Sequence, residues 1–271
     1  MTRYLYLAPA LVLLTCVFVL PIAKCVVVSS GADYAALLHD ETLLRSTANT
    51  LSFAVVSVGF EMILGLAFAL LLHQTFAMRG LVRAIALIPW ALPTAVMAMS
   101  WRWIFNDTYG IAGDLMSRLG VAEAGVAWLG MPGTAFLALV VADVWKTTPF
   151  VTIILLAGLQ SIPRDLYEAM SVDGAGPIRR FWLVTLPMLR PAIALALTFR
   201  LIQALGIFDL VWVLTGGGPA DSTKTVAMYI YDNLFRYLRP EYGAALTLIT
   251  ALAVFLISLA AGAATRGRSR A

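Results

Sequence analysis

Six stretches of this chain are each long and apolar enough to cross a bilayer, and any fold has to accommodate them first. A helix needs about 20 apolar residues to traverse a hydrocarbon core of ~30 Å. The qualifying runs are Tyr4–Val28, Asn49–Leu72, Leu81–Ile104, Thr134–Leu159, Ala192–Leu214 and Gly243–Thr265. Spanning segments in lipid must pair every backbone polar group internally, so the runs predict helices. The expectation is an all-α integral membrane protein, one domain over residues 1–271, with six transmembrane helices. Pro89 and Pro93 fall inside the third run, remove two backbone donors and predict a kink there.

Composition agrees. Only 13% of the 271 residues are charged and 61% are hydrophobic, against about 25% charged in soluble domains. A soluble binding or structural module is therefore excluded. The amino-terminal apolar run is longer than the ~7–15 residues of a signal core and has no clear small-residue cleavage site, so it reads as a retained span.

Lys and Arg distribution orients the spans. With the amino terminus inside, ten basic residues face the cytoplasm: Arg3, Arg79, Arg83, Arg164, Arg179, Arg180, Arg190, Arg266, Arg268 and Arg270. Five face outward: Arg45, Arg118, Lys224, Arg236 and Arg239. Both termini are thus expected in the cytoplasm. The formal charge of +4 is spread over short connections and predicts no nucleic-acid partner. Cys16 and Cys25 have no metal or disulfide spacing, and Thr15 and Lys24 before them do not suit a lipid anchor.

The longest cytoplasmic connection, 160–191, carries an organised pattern. Pro163 is suited to open a helix and Gly174 to end it in the left-handed conformation, with Pro177 opening a second. Two short surface helices at a sharp Asp173-Gly174 turn are expected. Leu166 and Met170, four apart, form an apolar ridge with Tyr167 and Ala169. The ridge suits either a groove on a cytoplasmic partner or lipid headgroups.

This segment resembles the coupling motif of importer permeases in the ATP-binding cassette family: Glu-Ala-Ala, three residues, then Gly. Glu168, Ala169 and Gly174 match, and Met170 replaces the second Ala. An extended form seen in sugar permeases is met by Asp173, Gly174, Ala175, Phe181, Val184, Leu186, Pro187 and Pro191. A second resemblance is Phe208-Asp209 followed by Leu214-Thr215-Gly216-Gly217-Gly218-Pro219, similar to the larger maltose permease-type subunit of carbohydrate importers. The glycines alone fit either a sharp turn or a flexible outer loop.

The resemblance implies a heterodimer with a second permease subunit, two cytoplasmic ATPase subunits docked on the coupling segment, and an external solute-binding protein. It implies a bacterial or archaeal inner (cell) membrane. The chain has no G-x-x-x-x-G-K-[ST] loop, so ATP and Mg are expected on the ATPase subunits, with no cofactor or metal in this chain. The implied solute is a disaccharide, oligosaccharide or sugar derivative, then glycerol phosphate.

Seven charged residues fall within spans: Lys24, Glu61, Arg102, Asp143, Lys146, Arg200 and Asp209. Lys24 and Arg102 lie near span ends and are expected to snorkel. Asp143 and Lys146, three apart, are expected to neutralise each other. Glu61 either pairs with Arg200 or lines the pathway, and Gln203 shares a face with Arg200. Solute contacts are expected from Trp145, Lys146, Thr148, Gln203, Phe208, Asp209 and Trp212, which combine aromatic planes with orienting polar groups. An ion-coupled carrier is the competing reading, but no internal repeat is evident. With only His39 and His73 and no H-E-x-x-H or G-x-S-x-G, metal or serine catalysis is not expected.

Overall fold

The computed structural model describes residues 8–120 and 126–266. The expected start of the first span at Tyr4, and Arg3, Arg268 and Arg270, lie outside the described residues. Every described regular element is helical. The helices long and apolar enough to cross a membrane are α1 (Pro9–Ser29), α3 (Glu41–His73), α7 (Pro132–Gln160), α9 (Pro177–Leu205) and α12 (Pro240–Arg266), with the bent pair α4 (Arg79–Ala91) and α5 (Thr94–Ile104) making a sixth where it counts as one span. Short helices fill the connections: α2 (Tyr34–Leu38), α6 (Ile111–Arg118), α8 (Arg164–Val172), α10 (Asp209–Leu214) and α11 (Val226–Tyr231).

The third run bends by 89° between α4 and α5, where Pro93 contributes no N–H and forces Leu92 into an extended conformation. The fifth run differs from the expected Ala192–Leu214. Its helix starts at Pro177 and stops at Leu205, and Asp209–Leu214 is separate. The expected second short surface helix is therefore the first turn of a span. Hydropathy hid this because Arg179, Arg180 and Arg190 lower the local average while their long side chains still reach headgroups. A widened π turn at Phe181–Thr185 keeps the helix continuous. Its cap, Leu186, donates its N–H five residues back to Phe181, just before Pro187.

α3 and α7 pack most closely, with α9 against both. Small residues permit this approach. A Cβ on Gly65 would lie 2.5 Å from Val151 Cγ1, and one on Gly158 would lie 2.6 Å from Ala192 Cβ. Two apolar cores result. One joins Phe53, Val58, Met97, Leu139, Leu205 and Leu210; the other joins Ala69, Val151, Leu155, Leu159, Leu189 and Ala196. On the perimeter, large apolar side chains stay exposed, among them Val55 (70%) and Ile63 (68%). Lipid is the solvent that makes such a surface stable.

Asp40 ties the end of α3 to the neighbouring elements. It caps the helix by accepting from the Thr42 and Leu43 amides at 2.8 and 3.1 Å, and also accepts from the Tyr229 and Tyr242 phenols. Burial pushes its carboxyl up, but those hydrogen bonds outweigh it and hold it below the ordinary value. A depressed folded pKa contributes stability above the unfolded value of about 3.9 and loses it as pH falls through the folded one. The thermal midpoint of the wild type should thus drop more steeply below about pH 4 than that of Asp40→Asn, a difference readable by differential scanning fluorimetry.

Candidate functional site

Glu61 on α3, Asp143 on α7 and Arg200 on α9 lie between the two apolar cores, and the structure joins them. The Arg200 guanidinium forks onto Glu61 through Nε and through Nη2, the latter at 2.8 Å, and Nη2 reaches Asp143 at 3.0 Å. Ser57 Oγ lies 2.9 Å from Glu61 Oε1 and 2.6 Å from Asp143 Oδ2, and Thr147 Oγ1 lies 2.7 Å from Glu61 Oε1. All three charged groups are essentially buried. Ionised side chains at this depth persist only when paired and hydrogen-bonded.

Glu61 therefore pairs with Arg200, one of the two readings left open. The expected Asp143–Lys146 pair is overturned, because Arg200 and Ser57 claim the Asp143 carboxylate. Lys146 turns instead to the break in the third span, donating to Leu92 O at 2.7 Å and Trp90 O at 3.5 Å. Arg102 Nη1 reaches the Val213 carbonyl at 3.4 Å.

Arg200 Nη1 donates to Gln203 Oε1 at 2.6 Å, and beyond Gln203 opens a cavity of about 440 Å³. Trp90 and Thr94 border it on one side, Asp143, Lys146 and Thr147 on another, and Gly206, Ile207, Phe208 and Asp209 on a third. Both helix breaks thus abut the same space. Irregular backbone at membrane depth is tolerated where it lines a cavity. Of the expected solute contacts, Lys146, Gln203, Phe208 and Asp209 meet here.

Trp145 and Thr148 do not. Residues turn about 100° apart on a helix, so this pair points away from the stripe of Asp143, Lys146 and Thr147. They line an apolar groove of about 1040 Å³ with Phe60, Leu64 and Phe68. Thr148 Oγ1 donates to its own helix at Val144 O, 2.6 Å away, and Trp145 packs edge-on against Trp101. Trp212 sits one turn beyond the cavity, stacked on Phe208 at 5.6 Å with the Arg236 guanidinium over its ring. It buttresses the cavity wall. Sequence reasoning missed Trp90, Thr94 and Thr147. The signals were Thr147 four residues after Asp143, and the position of Trp90 and Thr94 around Pro93.

The Gly216–Pro219 segment is a tight turn and not a loose loop. Gly216 and Gly217 hold φ of +63° and +85°, a region glycine enters without strain. Thr223 Oγ1 donates to Gly218 O at 2.7 Å, and Lys224 pairs with Asp221 at 2.9 Å and Asp232 at 3.2 Å. Asn49 Nδ2 binds the carbonyls of Asp221 and Lys224.

At the opposite end, α8 closes as designed by its sequence. Gly174 has φ of +71°, its N–H reaches Ser171 O at 3.1 Å, and Ala175 N–H reaches Met170 O at 2.9 Å. This is the double hydrogen bond of a Schellman cap. The expected ridge splits, however. Tyr167 and Met170 turn inward onto the second core, with Tyr167 Oη 3.0 Å from Thr185 Oγ1, and Ala175 is buried. Leu166, Glu168, Ala169 and Asp173 stay exposed. The split follows from spacing: Tyr167 and Met170 are three apart and share the face nearest the bundle.

Residues 61–269 match the family described as binding-protein-dependent transport system inner membrane component. The trehalose/maltose transport system permease protein MalF of Thermococcus litoralis is 46% identical over 229 residues, covering 84% of this chain and 76% of that protein. The sulfoquinovosyl glycerol transport system permease protein SmoG of Agrobacterium fabrum is 42% identical over 260 residues, covering 90% and 84%. A chain of a bacterial ABC transporter that imports the acidic polysaccharide alginate superposes with a TM-score of 0.86 at 23% identity, covering 98% of this chain and 95% of that one. That likeness is one of fold.

Proposed function

The chain belongs to the family of binding-protein-dependent transport system inner membrane components, and on that premise we propose that it passes a sugar through the cavity bordered by Lys146, Gln203, Phe208 and Asp209. The protein is a membrane-embedded transport component and not an enzyme. The observation that carries the sugar reading is the cavity itself: the aromatic side chains of Phe208 and Trp90 beside an amide, an ammonium and a carboxylate that match the hydroxyls of a sugar ring. Relatives named for trehalose/maltose and sulfoquinovosyl glycerol transport support a glycoside of two units.

In this reading the chain forms half of a channel completed by a second permease subunit. The exposed residues Leu166, Glu168, Ala169 and Asp173 of α8 and its cap dock on one of two cytoplasmic ATPase subunits, which bind ATP and Mg. A solute-binding protein delivers sugar at the opposite face, above the Gly216–Pro219 turn. Both termini lie in the cytoplasm of a cell whose inner membrane holds the complex. No observation favours the ion-coupled alternative.

The test is reconstitution of the chain with the proteins of its genomic neighbourhood. ATPase activity in proteoliposomes should rise with binding protein loaded with trehalose, maltose or sulfoquinovosyl glycerol. Absence of any co-purifying ATPase, together with sugar uptake driven by an ion gradient, would overturn the assignment.

A further inference from the structure

A lysine inside a membrane protein faces the bundle interior or a cavity and pairs with an opposite charge or with backbone carbonyls. Among the described residues, no carboxylate lies within ion-pair distance of Lys146. Asp143, one turn away, is held by Arg200 and Ser57, and Asp209 borders the same cavity. Lys146 Nζ is bound instead by two main-chain carbonyls, Leu92 O at 2.7 Å and Trp90 O at 3.5 Å. These are acceptors that the break between α4 and α5 leaves over: the extended Leu92 carries the Thr94 and Val96 amides out of helical register, and no main-chain donor among the described residues reaches either carbonyl. The same ammonium borders the cavity.

We infer that Lys146 is a positioning residue that ties the bend of the third span to the occupancy of the cavity. This rests on the import reading above. Nζ holds the carbonyls at the bend and ties α4 to α7, alongside Trp90 stacked on Phe150 at 5.7 Å. A sugar hydroxyl entering beside Gln203 and Phe208 is an equivalent acceptor. Exchanging one charge-assisted hydrogen bond for another is nearly balanced in free energy, so the ammonium is poised to transfer. Its transfer frees the two halves of the span to change angle, which is the kind of hinge that alternating access needs. The solute thereby biases an equilibrium through differential contacts, as any ligand-driven change requires.

The test uses the assembled importer in lipid, with Cys16→Ser and Cys25→Ser removing the native thiols. Spin labels at Gly80→Cys on α4 and Ser100→Cys on α5 report the bend as a distance. In the wild type, binding protein loaded with the stimulating sugar should shift that distance. Lys146→Met should show the shifted distance without sugar, and its ratio of sugar-stimulated to basal ATPase should fall about ten-fold, the equilibrium factor of one lost charge-assisted hydrogen bond. Lys146→Arg, which keeps the donors, should restore sugar dependence. If Lys146→Met fails to assemble, Lys146→Gln, whose amide donates without a charge, is read in its place. A wild-type stimulation ratio and a sugar-dependent distance in the variant would overturn the inference. So would a raised KM for sugar with an unchanged distance, which reduces Lys146 to an ordinary solute contact. A wild-type complex that ignores every sugar overturns the import reading, and this inference with it.

Discussion

Arg200→Ala is expected to be the most damaging single substitution in the chain, lowering stability by about 3–5 kcal/mol, the range for removing one partner of a buried pair. The argument rests on what remains. Glu61 and Asp143 keep their positions between two apolar cores, hydrogen-bonded to the Ser57 and Thr147 hydroxyls. Two carboxylates near one another in a low-dielectric interior repel, and two hydroxyls do not replace the lost guanidinium charge. The measurement is thermal unfolding in mild detergent, with expression yield beside it. Replacing all three charges together, as Arg200→Met with Glu61→Gln and Asp143→Asn, should recover most of the loss, because hydrogen-bonded neutral groups of similar shape cost far less to bury. A single variant that melts like the wild type would show that these charges are hydrated and not locked.

The second large effect is expected in function with the fold intact. Glu168→Ala combined with Gly174→Asp should abolish sugar-stimulated ATPase and cut transport more than about ten-fold, a loss equivalent to one disrupted docking contact. Glu168 is exposed, so truncating its side chain leaves the helix backbone in place. At Gly174 an added Cβ meets open space, so the penalty is backbone strain at φ of +71°, about 1–2 kcal/mol confined to the cap. The spans should therefore melt as in the wild type while the ATPase subunits dissociate or turn over without regard to sugar. Normal coupling in this variant would remove α8 as the docking element and direct attention to the exposed Val172 and Ile178 instead.

These variants separate two kinds of polar residue that look alike in the sequence. Glu61, Asp143 and Arg200 are tied to one another by ion pairs, two of them at the cavity wall, while Lys146, Gln203 and Asp209 border the cavity outside that ion-paired set. Both sets are charged or amide side chains in apolar runs, and no spacing rule along one helix distinguishes them. Asp143 and Lys146 make the point: three residues apart, they suggested a pair, yet each is claimed by a different helix.

The sequence by itself determined the membrane class, the all-helical architecture, the bend at Pro93 and the capped turn at Gly174. Each of these depends on local chemistry: apolar length, a missing N–H, a backbone angle only glycine enters freely. Resemblance to importer permeases pointed by residue number to the segment proposed to dock and to the glycine turn. Tertiary structure alone decided where the fifth helix starts, which face of α8 turns inward, that Trp145 and Thr148 look away from the cavity, and that two helix breaks meet around it. Those features depend on which helices lie beside one another, and apolar runs solvated by lipid all satisfy the same local rule. Their partners are chosen by close approach at Gly65 and Gly158 and by the buried Arg200 network, contacts between residues 34 to 139 positions apart in the chain.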